Sequence, residues 1–219
     1  MPPHLRKLYT FVDGAYLHGR APLDIALSLA DGGSDIIQLR AKDWPKEKVH
    51  ESAHRIAPAL RDRGVTFVIN DHVDIAKDVG APLAHLGQED FFDAGFQNVD
   101  QVIGEADNLG IGLSTHSPNQ ALRSIAANPS YVAIGPVFPT ETKPQAPAVT
   151  LDYVRWASEN LAIPWYAIGG INLGSLESVL TAGAMGICVV SAILNHANPA
   201  DACREFRRAL DSFDAVRVS

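Results

Sequence analysis

The stretch Val65-Thr66-Phe67-Val68-Ile69-Asn70-Asp71, VTFVIND, decides how the chain is to be read. Its first five residues are apolar or β-branched, which suits a buried strand, and the strand then stops on an amide and a carboxylate. A turn alone would account for that ending, because Asn and Asp are common where strands break. The ending recurs, however. "PLAHLGQED" at 82–90 closes a second apolar segment on acidic and amide groups, and "IIQLRAK" at 36–42 closes a third with Gln38, Arg40 and Lys42.

Working outward from this stretch, short apolar runs fall at 7–12, 35–40, 65–69, 82–86, 110–114, 131–134, 163–168 and 186–190. Segments with helical periodicity separate them, among them Leu23 to Leu29, Val49 to Leu60, Pro118 to Ala127, Leu151 to Trp156 and Leu176 to Leu180. The last helical segment, NPADACREFRRALDSF, sets Ala202, Phe206, Ala209, Leu210 and Phe213 on one face. Asn198 is its expected N-cap and Pro199 its first helical residue. Strands alternating with helices imply a parallel sheet covered on both faces, since parallel neighbours need crossover connections. Eight such units predict a single (β/α)₈ TIM barrel over residues 1–219, with a doubly wound open sheet as the alternative. No G-x-G-x-x-G follows the first strand, which argues against dinucleotide binding. In a barrel the strand ends converge on one face, where active sites form. Asn70, Asp71 and the HLGQED group would then meet at the mouth of strands three and four.

Composition narrows the function classes. The 219 residues are 47% hydrophobic, as expected of a globular core, and the net charge of −7 argues against non-specific nucleic-acid binding. Cys188 and Cys203 belong to no CxxC pair and read as reduced, structural thiols. The start, MPPHLRKLYTF, lacks a cationic region followed by a long apolar one, and no run approaches membrane-spanning length. A cytoplasmic protein with neither a membrane nor a nucleic-acid partner is the expectation. The oligomeric state stays open, and a homo-oligomer is compatible with the sequence.

Asp71 and Asp90 lie 19 residues apart, about one βα unit plus a strand. Neighbouring strands are roughly 4.8 Å apart, so carboxylates on two of them can approach one ion. Oxygen ligands with few protein donors suit Mg²⁺, which keeps waters and accepts phosphate oxygens. The plainer alternative is that Asp71 caps the following helix and Asp90 a loop. Arg40 and Lys42 share strand parity with Gln38, so all three point to one side. Gln38 and Arg40 inside an apolar strand are costly unless they face a polar site, and guanidinium and ammonium groups hold phosphate oxygens. Lys143, in "PVFPTETKP", joins this basic group. On the far side of the rim, "AIGGI" sets Gly169 and Gly170 after strand seven, and "VVSA" sets Ser191 at the end of strand eight. The loops after strands seven and eight commonly bind phosphate through backbone N–H groups in this fold. The rim is thus expected to hold two phosphate sites, one with metal and lysine and one with backbone amides.

From about Leu8 to Ala192 the chain resembles the thiamine phosphate synthase family, through QLRAK, VINDHVDIA, HLGQED, GLSTHS, YVAIGPVFPTETK, AIGGI and VVSAI in family order. The resemblance implies a (β/α)₈ barrel that joins 4-amino-5-hydroxymethyl-2-methylpyrimidine diphosphate to a thiazole phosphate, releasing pyrophosphate. It implies that Gln38, Arg40, Lys42 and Asn70 hold the pyrimidine diphosphate, with Ser114 beside that substrate and Asp71 and Asp90 on Mg²⁺. Thr140 and Thr142 would contact the thiazole, Lys143 the departing pyrophosphate, and Gly170, Val190 and Ser191 the thiazole phosphate. Catalysis would rest on Lys143, Ser114 and Arg40, by a dissociative route that needs no side-chain nucleophile. Two features depart from the family pattern. The segment 91–109 is several residues longer than expected, and PQAPAVTLDY, after Lys143, lacks a glycine near its end. Of the eight histidines, only His116 is read as lying in a strand-end motif. Its plainer role is a hydrogen bond to backbone, and its alternative is proton transfer on a thiazole ring, as in thiazole tautomerases of this fold. A non-catalytic barrel that binds phosphate ligands is a third reading.

Overall fold

All eight apolar runs are strands in the computed structural model, which describes residues 7–104, 108–140 and 147–218, and their ends move by no more than two residues. They are β1 (Lys7–Asp13), β2 (Ile36–Arg40), β3 (Thr66–Asn70), β4 (Leu83–Leu86), β5 (Gly110–Thr115), β6 (Tyr131–Ile134), β7 (Trp165–Ile168) and β8 (Gly186–Val189). Each pairs in parallel with the next, and β1 closes on β8 with Leu8 opposite Ile187. This closed barrel excludes the doubly wound alternative.

The intervening helices are α1 (Pro22–Asp31), α2 (Lys46–Arg61), α3 (Val73–Asp78), α4 (Asp100–Ile103), α5 (Pro118–Ala126), α6 (Thr150–Asn160), α7 (Leu173–Thr181), the short α8 (Ser191–Leu194) and α9 (Pro199–Val218). Asn198 caps α9 as its residue type predicts, its Oδ1 accepting the Ala200 amide at 3.1 Å. Ala202, Phe206 and Leu210 are buried, with Ala209 and Phe213 packed at the edge of the same core. That outer core lies between the barrel wall and the helices.

The two departures have a structural counterpart. Residues Glu89–Asp93 form one widened, π-helical turn that buries Phe91 and Phe92, and the four residues of α4 follow. The missing glycine near the end of PQAPAVTLDY coincides with Thr150, at φ +63°, a left-handed conformation that a β-branched residue adopts at a cost.

Inside the barrel the strand parity sets Tyr9, Phe11, Ile36, Val68, Tyr131 and Cys188 in one inner cluster. Tyr9, Tyr131 and Tyr166 meet edge to face, with centroids 5.3–6.1 Å apart. Room for them comes from glycines. A Cβ on Gly112 would overlap the Tyr131 ring, and one on Gly186 would meet the Tyr166 ring at 2.5 Å. The aromatic plug fills the lower barrel, so the open space is at the strand C-termini. At the opposite end, Asp35 accepts the Leu8 amide and pairs with Arg207 and Lys7. Cys188 and Cys203 are buried and unpaired with each other, as expected, and burial pushes both thiols up, Cys203 to about 12.

Candidate active site

A cavity opens at the C-terminal face of the barrel. Gln38, Arg40, Lys42, Asn70, Asp71, Ser114, Thr140, Gly170, Val190 and Ser191 all line it. Thr142 and Lys143 lie outside the described residues. Asp90 is set back from the cavity wall, in the widened turn, where its Oδ2 accepts the Gly87 amide at 3.3 Å. Its carboxylate does serve as a loop cap, as the plainer reading had it.

Asp71 does not do the equivalent job. Helix α3 starts from His72 without a side-chain cap. The Asp71 carboxylate faces Lys42 instead, 3.6 Å from Nζ, and the residue is held at φ +63°, a conformation that Asp tolerates better than most residues. Burial raises the Asp71 pKa above the ordinary carboxylate value. Lys42 opposes the shift, and the nearby Asp90 charge adds to it. Two carboxylates thus feel each other across the β3 and β4 ends, which is unfavourable without a cation between them.

Arg40 is fixed rather than free. Its Nη1 lies 2.7 Å from Oδ2 of Asp13, whose other oxygen accepts the Ala15 amide. The strand register explains the pairing, since Asp13 lies opposite Arg40 in β1–β2. Asp13 was missed in the sequence, although KLYTFVD ends on a carboxylate as β3 does.

His85 was also missed, and it lies in HLGQED, so His116 is not alone in a strand-end motif. Register places it opposite Asn70. Its Nδ1 is 2.9 Å from the Tyr131 hydroxyl and its Nε2 is 2.9 Å from Ser114 Oγ. The Tyr131 and Tyr9 hydroxyls are 2.9 Å apart, and Gln38 Nε2 donates to Tyr9 at 2.6 Å. A continuous buried chain therefore runs from Gln38 on β2 to Ser114 on β5. Burial holds both phenols well above their ordinary pKa, so they take part as neutral hydroxyls. Gln88 has a structural task, donating to the Ser114 carbonyl at 2.7 Å.

The other half of the mouth is mostly backbone. Gly169 (φ +100°) and Gly170 (φ +65°) turn beneath the loop that follows β6. A Cβ on Gly170 would come within 2.6 Å of the Pro139 carbonyl oxygen and 2.7 Å of Phe138 Cβ. Val137 and Phe138 donate to the Ile168 and Gly169 carbonyls, so backbone hydrogen bonds tie the β6 and β7 loops together. His116 hydrogen-bonds through Nδ1 to the Gly135 carbonyl, the plainer of its expected roles, and its ring lines the cavity.

The model of the thiamine monophosphate synthase family matches residues 8–193. The thiamine-phosphate synthase of Thermus thermophilus is 43% identical over 198 residues, covering 87% of this chain and 89% of that one. The thiamine-phosphate synthase of Acidothermus cellulolyticus is 39% identical over 209 residues, covering 93% and 94%. Among solved structures, the thiamine phosphate pyrophosphorylase of Pyrococcus furiosus superposes with a TM-score of 0.82 at 29% identity, covering 95% of this chain and 97% of that one. A 3-hexulose-6-phosphate synthase, at 21% identity and a TM-score of 0.65, shares the fold.

Proposed function

The chain belongs to the thiamine monophosphate synthase family, transferases that make thiamine phosphate, and from that premise we propose how its cavity divides the work. The β2–β5 side takes the pyrimidine diphosphate and the β6–β8 side takes the thiazole phosphate. The observation that carries this reading is the partly buried Asp71 carboxylate, its pKa raised by burial and by the nearby Asp90 charge, beside Lys42.

An all-oxygen donor pair with a raised carboxylate pKa fits a hard divalent cation, and Asp71 and Asp90 would hold Mg²⁺. When bound, the ion would neutralise diphosphate oxygens as they gain charge. Lys42 and Arg40 line the same wall and add fixed positive charge. Asp13 orients the Arg40 guanidinium, so its position needs little reorganisation during reaction. Gln38 and Ser114, held at the two ends of the Tyr9–Tyr131–His85 chain, would fix the pyrimidine ring. Lys143 is assigned to the departing pyrophosphate on its motif alone.

In the reaction, the bond from the pyrimidine methylene carbon to the diphosphate oxygen breaks, and its electron pair leaves with pyrophosphate. The aminopyrimidine supports the cation that remains, and the thiazole nitrogen closes the new C–N bond with its lone pair. No side-chain nucleophile or proton shuttle is required. Backbone at Gly170, Val190 and Ser191, all on the cavity wall, would hold the thiazole phosphate, with Thr140 nearby. No helix among the described residues is long and apolar enough to cross a membrane.

The test is a steady-state assay with both substrates, in Mg²⁺ and in EDTA. Thiamine phosphate and pyrophosphate should form in equal amounts, and EDTA should stop both. Isomerisation of a thiazole substrate without pyrophosphate release would instead support the tautomerase reading through His116.

A further inference from the structure

Away from the mouth, on the outer wall, α2 presents His50-Glu51-Ser52-Ala53-His54. Residues four apart on a helix lie on one face, and the two imidazole rings are in edge contact at 4.5 Å. The neighbouring helix α3 ends on Asp78, whose Oδ2 lies 2.7 Å from both His50 Nε2 and His54 Nε2. The three ligand atoms all lie within 4.8 Å of one another, and all three side chains are about half exposed. One turn earlier, Lys46 is paired with Asp74 at 2.6 Å.

We propose that His50, His54 and Asp78 bind a divalent transition-metal ion, with Zn²⁺ the best match. Two imidazoles and a carboxylate supply three of four tetrahedral positions, and water completes the set as in open zinc sites. Bonds of 2.0–2.2 Å to the ion place tetrahedral ligands about 3.4 Å apart. Each imidazole nitrogen and the Asp78 oxygen therefore separate by a little over half an ångström from their hydrogen-bonded distance of 2.7 Å, which half-exposed rotamers allow. On ion entry each ring presents its Nε2 lone pair and carries its proton on Nδ1. The HESAH spacing matches the H-E-x-x-H pattern, in which a helix offers two histidines to zinc. The resemblance ends at binding. Glu51 is exposed on a convex wall, and the barrel-mouth cavity is lined by none of these residues, so the ion would not adjoin that cavity. The ion would tie α2 to α3, the two helices that follow Lys42 and Asp71.

The experiment is calorimetric titration of the tag-free, EDTA-stripped protein with Zn²⁺, paired with a thermal melt. A saturable Zn²⁺ site that requires His50 and His54, and a higher Tm, are expected. His50→Gln and His54→Gln should each weaken binding at least about tenfold. Asp78→Asn should weaken it as well, whereas Glu51→Gln should leave it unchanged. Condensation by the His54→Gln variant should match the parent, and an Asp71→Asn/Asp90→Asn variant should still bind one Zn²⁺. Absence of saturable binding, or binding that survives His54→Gln and vanishes with the Asp71/Asp90 pair, would overturn the site and leave a hydrogen-bonded triad only.

Discussion

On one side of the mouth Arg40, Lys42 and Asp71 come forward as charged side chains, each with a charged partner within 3.6 Å. On the other side Gly169, Gly170 and Val190 bring mainly backbone, shaped by positive φ at the two glycines and by close contact with the β6 loop. The charged half stores electrostatic strain, because Asp71 is partly buried and feels Asp90. The backbone half stores steric precision instead. An ion whose charge changes during reaction is best met by groups that respond to charge, whereas a phosphate that is only held needs shape. The two halves should therefore fail differently when altered.

The largest effect is expected at the charged half. Asp71→Asn and Asp90→Asn should each lower kcat by ~10²–10³-fold, the usual cost of losing one group that meets developing charge. Neither should unfold the protein. Asn tolerates the positive φ at 71 and can still accept the Gly87 amide at 90. Full activity in either variant would place the cation elsewhere.

On the backbone half, Gly170→Val should raise the KM for the thiazole phosphate by tenfold or more, with a smaller change in the KM for the diphosphate. A β-carbon there meets the Pro139 carbonyl and forces an unfavourable φ, at a cost of about 1–3 kcal/mol. Tm should fall as well, so binding is to be compared below the melt. A selective loss of diphosphate binding would mean that the halves are exchanged.

The inner hydrogen-bond chain couples Gln38 to Ser114 and belongs to the charged half. His85→Phe should keep the barrel folded and reduce kcat/KM for the pyrimidine diphosphate by roughly tenfold, the worth of about one buried hydrogen bond. Equal effects on both substrates would indicate a general packing defect.

The smallest change is structural and lies at the start of α6. Thr150→Asn should stabilise the fold by about 0.5–1 kcal/mol. Asn accepts positive φ more readily and can keep the bond from the Asp152 amide that the Thr150 hydroxyl now accepts at 3.3 Å. A lower Tm would show that the threonine methyl is needed there.

These contrasts also explain what could be read from sequence. The eight strands were legible because each is a short apolar run bounded by turn residues. The shared direction of Gln38 and Arg40 followed from a period of two. What escaped depends on contacts between distant strands. Asp13 matters because register puts it against Arg40, and His85 because Tyr131 and Ser114 converge on it from two other strands. Gly112 is explained only once the Tyr131 ring is seen above it. The FFDAGF stretch has no helical period because its first three residues end a single widened turn and the rest leave it. On the outer wall the HESAH spacing is visible in sequence, but its third partner, Asp78, comes from another helix.

The central claim is that the partly buried Asp71 carboxylate, with the Asp90 charge near it, makes a cation site. The sign can be worked out. Burial raises the Asp71 pKa in the fold, so over that range the unfolded chain holds fewer protons, and stability falls as pH rises through the unfolded and then the folded pKa. Above both values, near neutral pH, the charged Asp71 costs stability in the absence of a cation. The most direct measurement is the Tm of parent and Asp71→Asn proteins at neutral pH, titrated with Mg²⁺ without substrates. The parent should start lower and climb with Mg²⁺, and Asp71→Asn should start at or above it and respond weakly. A parent that starts higher, or equal Mg²⁺ responses in both proteins, would contradict the account.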